Sequence, residues 1–196
     1  MKADLNRGCP DMARTRLALL RSEEGAARWS DARAGSRKAW SHERSRTGKF
    51  EWLTPPDLLH ALGDFDLDPA APIHRPWPTA QFHYSMREDG LIQPWFGRIW
   101  LNPPYGPHTH KWLARLAAHG NGIALIFART ETRMFFKWVW GRADAVLFLR
   151  GRLTFFNSDG TKPGNSGGAP SCLAAYGPSN VDSLAQSGLD GKLIKL

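Results

Sequence analysis

Between the Gly120-Asn121-Gly122 turn and Ala128, the chain reads Ile123-Ala124-Leu125-Ile126-Phe127, without one polar side chain. A strand with one face in water alternates apolar and polar residues, so this run belongs to a strand covered on both sides. Helices must then pack on both faces of its sheet, which points to the α/β class. Ala145 to Leu149 and Ser171 to Tyr176 read as buried strands of the same kind, and Arg98 to Leu101 as a shorter one. Helical spacing alternates with them, over residues 108 to 118 through Trp112, Leu113, Leu116 and Ala117, and from Glu131 to Trp140. Upstream, Thr54 predicts a helix N-cap with Pro55 at the first position; Leu58, Leu59 and Leu62 form the apolar face, and Gly63 ends it. Phe65 to Asp68 predicts a short strand ending in a carboxylate, and Leu153 to Phe156 a further strand. Pro72, Pro76 and Pro78 exclude long regular elements between residues 70 and 90, and Gly160 to Pro170 reads as a loop. The expected architecture is a mostly parallel sheet with a terminal antiparallel hairpin.

With 196 residues and 42% apolar content, the chain can build one substantial core. Residues 1–48 read as a basic, weakly ordered appendage whose only helical stretch is Met12 to Leu20. Residues 49–178 read as the working domain, and 179–196 as a polar C-terminal tail. The charge follows this division, with 12 Lys/Arg against 6 Asp/Glu in residues 1–49 but 14 against 12 in residues 50–196. Such a basic segment suits sequence-independent attraction to phosphates. No apolar run of membrane-spanning length and no secretory cleavage pattern is present, so the expectation is a soluble, intracellular protein. Cys9 and Cys172 lack metal-ligand or redox spacing. His108 and His110 flank Thr109 without a third ligand beside them, and read as polar loop residues rather than a metal site.

The chemistry concentrates in Ile99-Trp100-Leu101-Asn102-Pro103-Pro104-Tyr105-Gly106. Two consecutive prolines cannot continue a strand ladder, and they hold the following loop stiffly extended. The Asn102 side-chain oxygen and the Pro103 carbonyl then form a rigid pair of acceptors. An amine conjugated to a heteroaromatic ring is a poor nucleophile because its lone pair is delocalised; two acceptors on its hydrogens favour the geometry in which the lone pair is available. Tyr105 supplies a flat face for a base flipped out of a duplex. Phe135, Phe136, Trp138 and Trp140 read as packing residues. Arg129, Arg133, Arg150 and Arg152 read either as scattered surface charges or as a phosphate track.

An apolar strand running into N-P-P-Y resembles the amino-group methyltransferases of class I, Rossmann-like fold. The ordered set Glu51-Trp52-Leu53-Thr54-Pro55, Phe65-Asp66-Leu67-Asp68-Pro69-Ala70-Ala71, Asp89-Gly90-Leu91 with Trp95, then N-P-P-Y-G, Gly151-Arg152-Leu153-Thr154-Phe155 and Ala169-Pro170-Ser171 is similar to the phage-type Dam adenine methyltransferases. The resemblance implies a reduced class I sheet, S-adenosylmethionine as cofactor, DNA as partner, no metal, and residence in the cytoplasm of a bacterial or phage-infected cell. It implies catalytic roles for Asn102, Pro103, Pro104 and Tyr105. Cofactor roles fall on Thr54, on the loop Asp68-Pro69-Ala70, with Asp68 at the methionine ammonium, and on Asp89 at the cofactor's adenine amine. The usual Gly-rich loop after the first acid is replaced here by Pro69-Ala70-Ala71-Pro72, and no ribose-binding carboxylate is identifiable. The same N-P-P-Y motif occurs in methyltransferases of RNA guanine and protein glutamine, and a DNA-binding remnant without activity is the remaining alternative.

Overall fold

The apolar run Ile123 to Phe127 belongs to the middle strand of a seven-stranded sheet in the computed structural model, which describes residues 52–164 and 168–196. Among the described residues the elements are α1 (Pro56–Leu62), β1 (Leu67–Asp68), β2 (Phe82–His83), β3 (Ile99–Leu101), α2 (Thr109–His119) and β4 (Gly122–Phe127). There follow α3 (Arg133–Phe135, continued by a π-helical turn over Phe136–Trp140), β5 (Ala145–Leu149), β6 (Ser171–Tyr176), α4 (Pro178–Gln186) and β7 (Gly191–Lys195). The basic segment 1–48, with its expected helix at Met12 to Leu20, lies outside the described residues.

The sheet order is β2-β1-β3-β4-β6-β5-β7. Its two faces are built by strict alternation along the strands. Ile99 and Leu101 of β3, with Ala124 and Ile126 of β4, pack on Trp112, Leu113 and Leu116 of α2 and on Phe135 and Val139. Trp100, Ile123 and Leu125 point the other way, onto Leu58, Leu59 and Leu62 of α1 and Val181 and Leu184 of α4. Each large apolar side chain so buried contributes about 1.5 to 3 kcal/mol relative to exposure. Gly120 closes α2 in the left-handed conformation, with its N–H bonded to the Leu116 carbonyl.

The mixed α/β class is as expected, but four details differ. The parallel part is limited to β2-β1-β3-β4, and the antiparallel part is larger than a hairpin appended at the edge. Instead β6 lies between β4 and β5, antiparallel to both, and β7 is antiparallel to β5 on its far edge. The link from β5 to β6 carries no helix, and without a helical crossover consecutive neighbouring strands run antiparallel.

Residues 153–156 form no strand, because β6 and β7 already occupy both edges of β5; they contribute only the isolated bridge between Phe156 and Leu53. The helix α1 starts at Pro56 with Pro55 at the cap and no side-chain cap bond. Finally, the segment expected as a C-terminal tail is α4 and β7. Polar contacts anchor it: Arg98 donates from Nε to Asn180 Oδ1 (2.7 Å) and from Nη2 to Ser183 Oγ (2.9 Å), while Asn180 Nδ2 donates to the Tyr176 carbonyl (2.8 Å). No helix among the described residues is long and apolar enough to cross a membrane.

Candidate active site

The strands β1 and β3 are parallel neighbours, with Leu67 opposite Ile99, so both finish at the same edge of the sheet. Asp68 ends the first and Asn102 follows the second directly. Beyond Asn102, Pro103 is buried and Pro104 exposed. Thr109, at the start of α2, holds the proline loop: its hydroxyl donates to the Pro104 carbonyl (2.8 Å) and accepts the Gly106 N–H (2.9 Å).

The Asn102 amide is oriented from one side. Its Nδ2 donates to the Trp52 carbonyl (3.4 Å) and to Thr54 Oγ1 (3.5 Å). A carbonyl oxygen can only accept, so the nitrogen and not the oxygen must face Trp52. The Asn102 Oδ1 is thereby turned away from Trp52, buried and without a hydrogen-bond partner among the described residues. Burying a polar atom unpaired is costly, and native structures keep few such atoms.

The strap carrying Trp52 and Thr54 is itself fixed. Leu53 exchanges two backbone hydrogen bonds with Phe156 (2.9 Å each), and the Thr54 carbonyl accepts the Trp77 indole N–H (3.0 Å). Trp77 meets the Phe156 ring edge-on at 5.2 Å. The Tyr105 ring stacks on Phe127 at 4.1 Å between centroids and 21° between planes, with Phe155 edge-on at 6.5 Å. Its hydroxyl donates to the Leu125 carbonyl (3.4 Å).

A second group of residues surrounds the end of β1. Asp68 is buried, with Oδ1 accepting the Ala70 N–H (3.0 Å) and Oδ2 accepting the Thr79 hydroxyl (2.5 Å). Burial pushes its carboxyl up to about 6, although the hydrogen bonds from Thr79 and Ala70 and the charge of Arg75 pull it down. His83 Nε2 accepts the N–H groups of Thr79 and Ala80 (3.3 Å each), and burial, then Arg75, push this imidazole down to about 4. Thr79 is therefore held from both ends.

The Asp68-Pro69-Ala70 loop touches the Asp89 loop through Gly90, where a β-carbon would clash with the Pro69 carbonyl. Asp89 adopts φ 52°, in the left-handed region, and its carboxylate accepts the Leu91 N–H (3.2 Å). Asp89, Leu91 and Ile92 face Lys111, Ala114 and Arg115 of α2 across a cleft of about 570 Å³. The Arg115 guanidinium donates to the Leu91 and Gln93 carbonyls and lies 5.1 Å from the Trp95 ring, while the Trp95 indole donates to the Gly90 carbonyl (2.8 Å).

The structure thus joins Thr54 to Asn102, and Asp68, Pro69 and Ala70 to the Asp89-Gly90 turn, along one edge of the sheet. The Trp52 carbonyl, Phe127, Thr79 and Thr109 were not singled out from the sequence. Phe127, the last residue of the apolar run, and Thr109, beside a helix start, carried at least a positional signal. Of the remaining candidates, Phe135 is core, Trp140 packs between Phe135 and Phe148, and Lys137 covers Trp138 at 4.6 Å. Phe136 is exposed. Arg150 forms an exposed ion pair with Asp190 (3.4 Å), a kind worth little. The His110 ring lies at the surface against the Pro107 carbonyl (2.7 Å), and no three His, Cys, Asp or Glu side chains converge among the described residues. Cys172 is buried in β6, its thiol pushed up to about 12 by desolvation, as befits a packing residue.

Comparison of the chain with protein families finds the model of DNA N-6-adenine-methyltransferase (Dam), matched over residues 42–186. The chain belongs to this family. It is a DNA methyltransferase directed at the N6 amine of adenine, and nothing in the site favours RNA guanine, protein glutamine or an inactive remnant. The match includes the strap, the Asp68 loop, the Asp89 turn, the N-P-P-Y loop and α4, and begins inside the segment read from sequence as an appendage. No curated protein and no solved structure was found to match.

Proposed function

We propose that this methyltransferase works by an amine clamp at Asn102-Pro103-Pro104-Tyr105, with S-adenosylmethionine as methyl donor. The observation that carries the reading is the buried Asn102 Oδ1, unpartnered among the described residues, with the amide nitrogen of the same side chain engaged on the opposite side. An acceptor kept without a protein partner at the end of a sheet strand suits a substrate hydrogen. In the clamp, Oδ1 and the Pro103 carbonyl accept the two hydrogens of the flipped adenine amine. As the nitrogen forms its bond to the methyl carbon, positive charge develops on it, and both acceptors strengthen their hold on its hydrogens. S-adenosylmethionine, held by the residues at the β1 end, would supply the methyl in an in-line displacement with its sulfur as leaving group, and the methylated amine would then lose a proton to solvent. Tyr105, backed by Phe127, stacks on the base.

The residues at the β1 end fit the cofactor. When bound, S-adenosylmethionine supplies an electrophilic methyl group on a sulfonium. The Asp68 carboxylate keeps unused lone pairs after its two bonds and faces an ammonium well in charge terms. Pro69 and Ala70 shape the loop, Asp89 lines the adjoining cleft and accepts the purine amine, and Thr54 borders the clamp. The parallel half of the sheet, with helices on both faces and both loops at the carboxyl ends of neighbouring strands, supports a reduced class I, Rossmann-like arrangement.

The test is single-turnover methyl transfer from tritiated S-adenosylmethionine to unmethylated DNA, with nucleoside analysis of the product. The expected product is N6-methyladenine, and Asn102→Ala lowers the rate roughly a hundredfold to a thousandfold with DNA affinity little changed. Asn102→Asp keeps an acceptor and retains more activity than the alanine variant. A folded Asn102→Ala protein that transfers methyl at the parent rate excludes the clamp.

A further inference from the structure

We infer that Thr54 is a positioning residue of the methyl-transfer site: its hydroxyl accepts from the Asn102 amide, whose flip state the Trp52 carbonyl sets, and so helps to hold the amide where its oxygen meets the substrate amine. The inference rests on the clamp described above and assigns what sets it.

An asparagine amide is nearly symmetric in shape, and its two flip states exchange a donor for an acceptor at the same place. In the wrong state, –NH₂ would meet the hydrogens of the adenine amine, and the clamp would repel the group it must hold. The choice between states therefore has to be made by neighbours on the far side of the amide. Here the neighbour that makes the choice is the Trp52 carbonyl at 3.4 Å, which can only accept; Thr54 Oγ1 at 3.5 Å, able to donate or accept, follows that choice and adds a second hold on Nδ2. Together they engage Nδ2, while Oδ1 has no hydrogen-bond partner among the described residues. Both bonds are long, as hydrogen bonds at catalytic sites often are before substrate binds.

Thr54 is suited to this task and not to the one its sequence position suggests. It is 1% exposed, and the helix that follows takes no side-chain cap from it. Its backbone is held by the Trp77 indole at its own carbonyl and by the Leu53–Phe156 bridge one residue back, so the hydroxyl has little freedom to drift from Asn102. The bridge also couples the amide to the segment containing Phe155, whose ring meets Tyr105 edge-on. One strap thus braces both working side chains of the loop.

The experiment compares Thr54→Val, which removes the acceptor at nearly constant volume, with Thr54→Ser, which keeps it. Three readouts are taken on the full chain: single-turnover methyl transfer to unmethylated plasmid DNA, S-adenosylmethionine Kd by calorimetry, and circular dichroism with a thermal melt. A single buried hydrogen bond predicts a rate about two- to tenfold lower in Thr54→Val, with cofactor Kd within about twofold of the parent, and a rate restored for the most part in Thr54→Ser. If both variants fold and Thr54→Val transfers methyl at the parent rate, the inference is wrong. It is equally wrong if the loss appears as a weaker cofactor Kd, which makes Thr54 a cofactor contact, or if Thr54→Ser is as slow as Thr54→Val. Failure of the clamp itself is separate, because it shows as a parent-like rate in Asn102→Ala.

Discussion

Asp68 shows how a single residue can work against the fold that houses it. Its carboxyl is raised from the usual 3.8 to about 6 by burial, a difference corresponding to roughly 3 kcal/mol. At pH 8 both the folded and unfolded chains hold Asp68 ionised, and the fold bears the full cost of the buried charge. As the pH falls through 6 the folded carboxyl binds a proton that the unfolded one does not, so this contribution to stability grows until about pH 4, below which both are protonated. Asn at this position copies the neutral form, its oxygen accepting from Ala70 and its amide donating to Thr79. Asp68→Asn is therefore expected to melt above the parent at pH 8, by up to about 6 to 12 °C, with the gap closing as the pH approaches 4. His83, pushed down to about 4, gives the opposite slope as the pH drops below 6.5, but it is present in both proteins and cancels from the difference. The same variant should bind S-adenosylmethionine about ten- to a hundredfold more weakly, since it gives up a charged partner for the ammonium. Melts that place Asp68→Asn below the parent at pH 8 would show that the fold needs the charge. At this scale N-P-P-Y was legible because it is contiguous, and Asp68 because it ends an apolar stretch. The hydroxyl of Thr54 on Asn102, the Phe127 ring under Tyr105 and the Thr79 contact to Asp68 were not, because only the tertiary fold creates them.

Elements were legible where burial alone decides them. The runs that became β4, β5 and β6 and the apolar stripe of α2 could hardly be anything else, whereas β2 is two residues long and mostly peripheral. The helix α4 and strand β7 escaped notice because little apolar surface marks them: α4 buries only Val181 and Leu184 beside Asn180 and Ser183 on Arg98, and β7 rests on a ladder running from Gly191 opposite Leu149 to Lys195 opposite Ala145. The strand β7 has an exposed, lysine-bearing outer side, which is how natural sheets blunt an edge. Its removal would turn Ala145-Val146-Leu147-Phe148-Leu149 into an apolar edge, a template for pairing with another copy. Truncation after Ser187 is expected to lower the melting temperature by roughly 5 to 10 °C, for a loss of about 2 to 3 kcal/mol, and to produce concentration-dependent association. Thermal melts and light scattering check both effects. An equally stable, monodisperse truncated protein would show that β7 is dispensable and that β5 tolerates the role of edge.

Across the whole molecule, the sequence announced the α/β class and the family but not the order of strands, since nothing local says that β6 inserts between β4 and β5. That order is decided by which connections carry helices and by the contest for the two edges of β5. The division of charge is legible at once, and it bears on how DNA is held. The family match begins at residue 42, and the proposed clamp and cofactor residues all lie beyond it. Residues 1–41 carry 9 Lys/Arg against 5 Asp/Glu, whereas the rest of the chain carries little net charge for its length. Deleting them is expected to leave cofactor affinity and the single-turnover rate at saturating DNA unchanged, while DNA affinity at low salt falls. Each phosphate that the segment neutralises contributes about 0.9 to the slope of log K against log salt concentration, so the deletion should flatten that slope by about 1 to 4. Titrations of labelled duplex DNA between about 50 and 200 mM salt measure it. A slope identical to that of the full chain would mean that the segment makes no phosphate contacts, and that DNA is drawn to the site by the basic side chains of the domain alone.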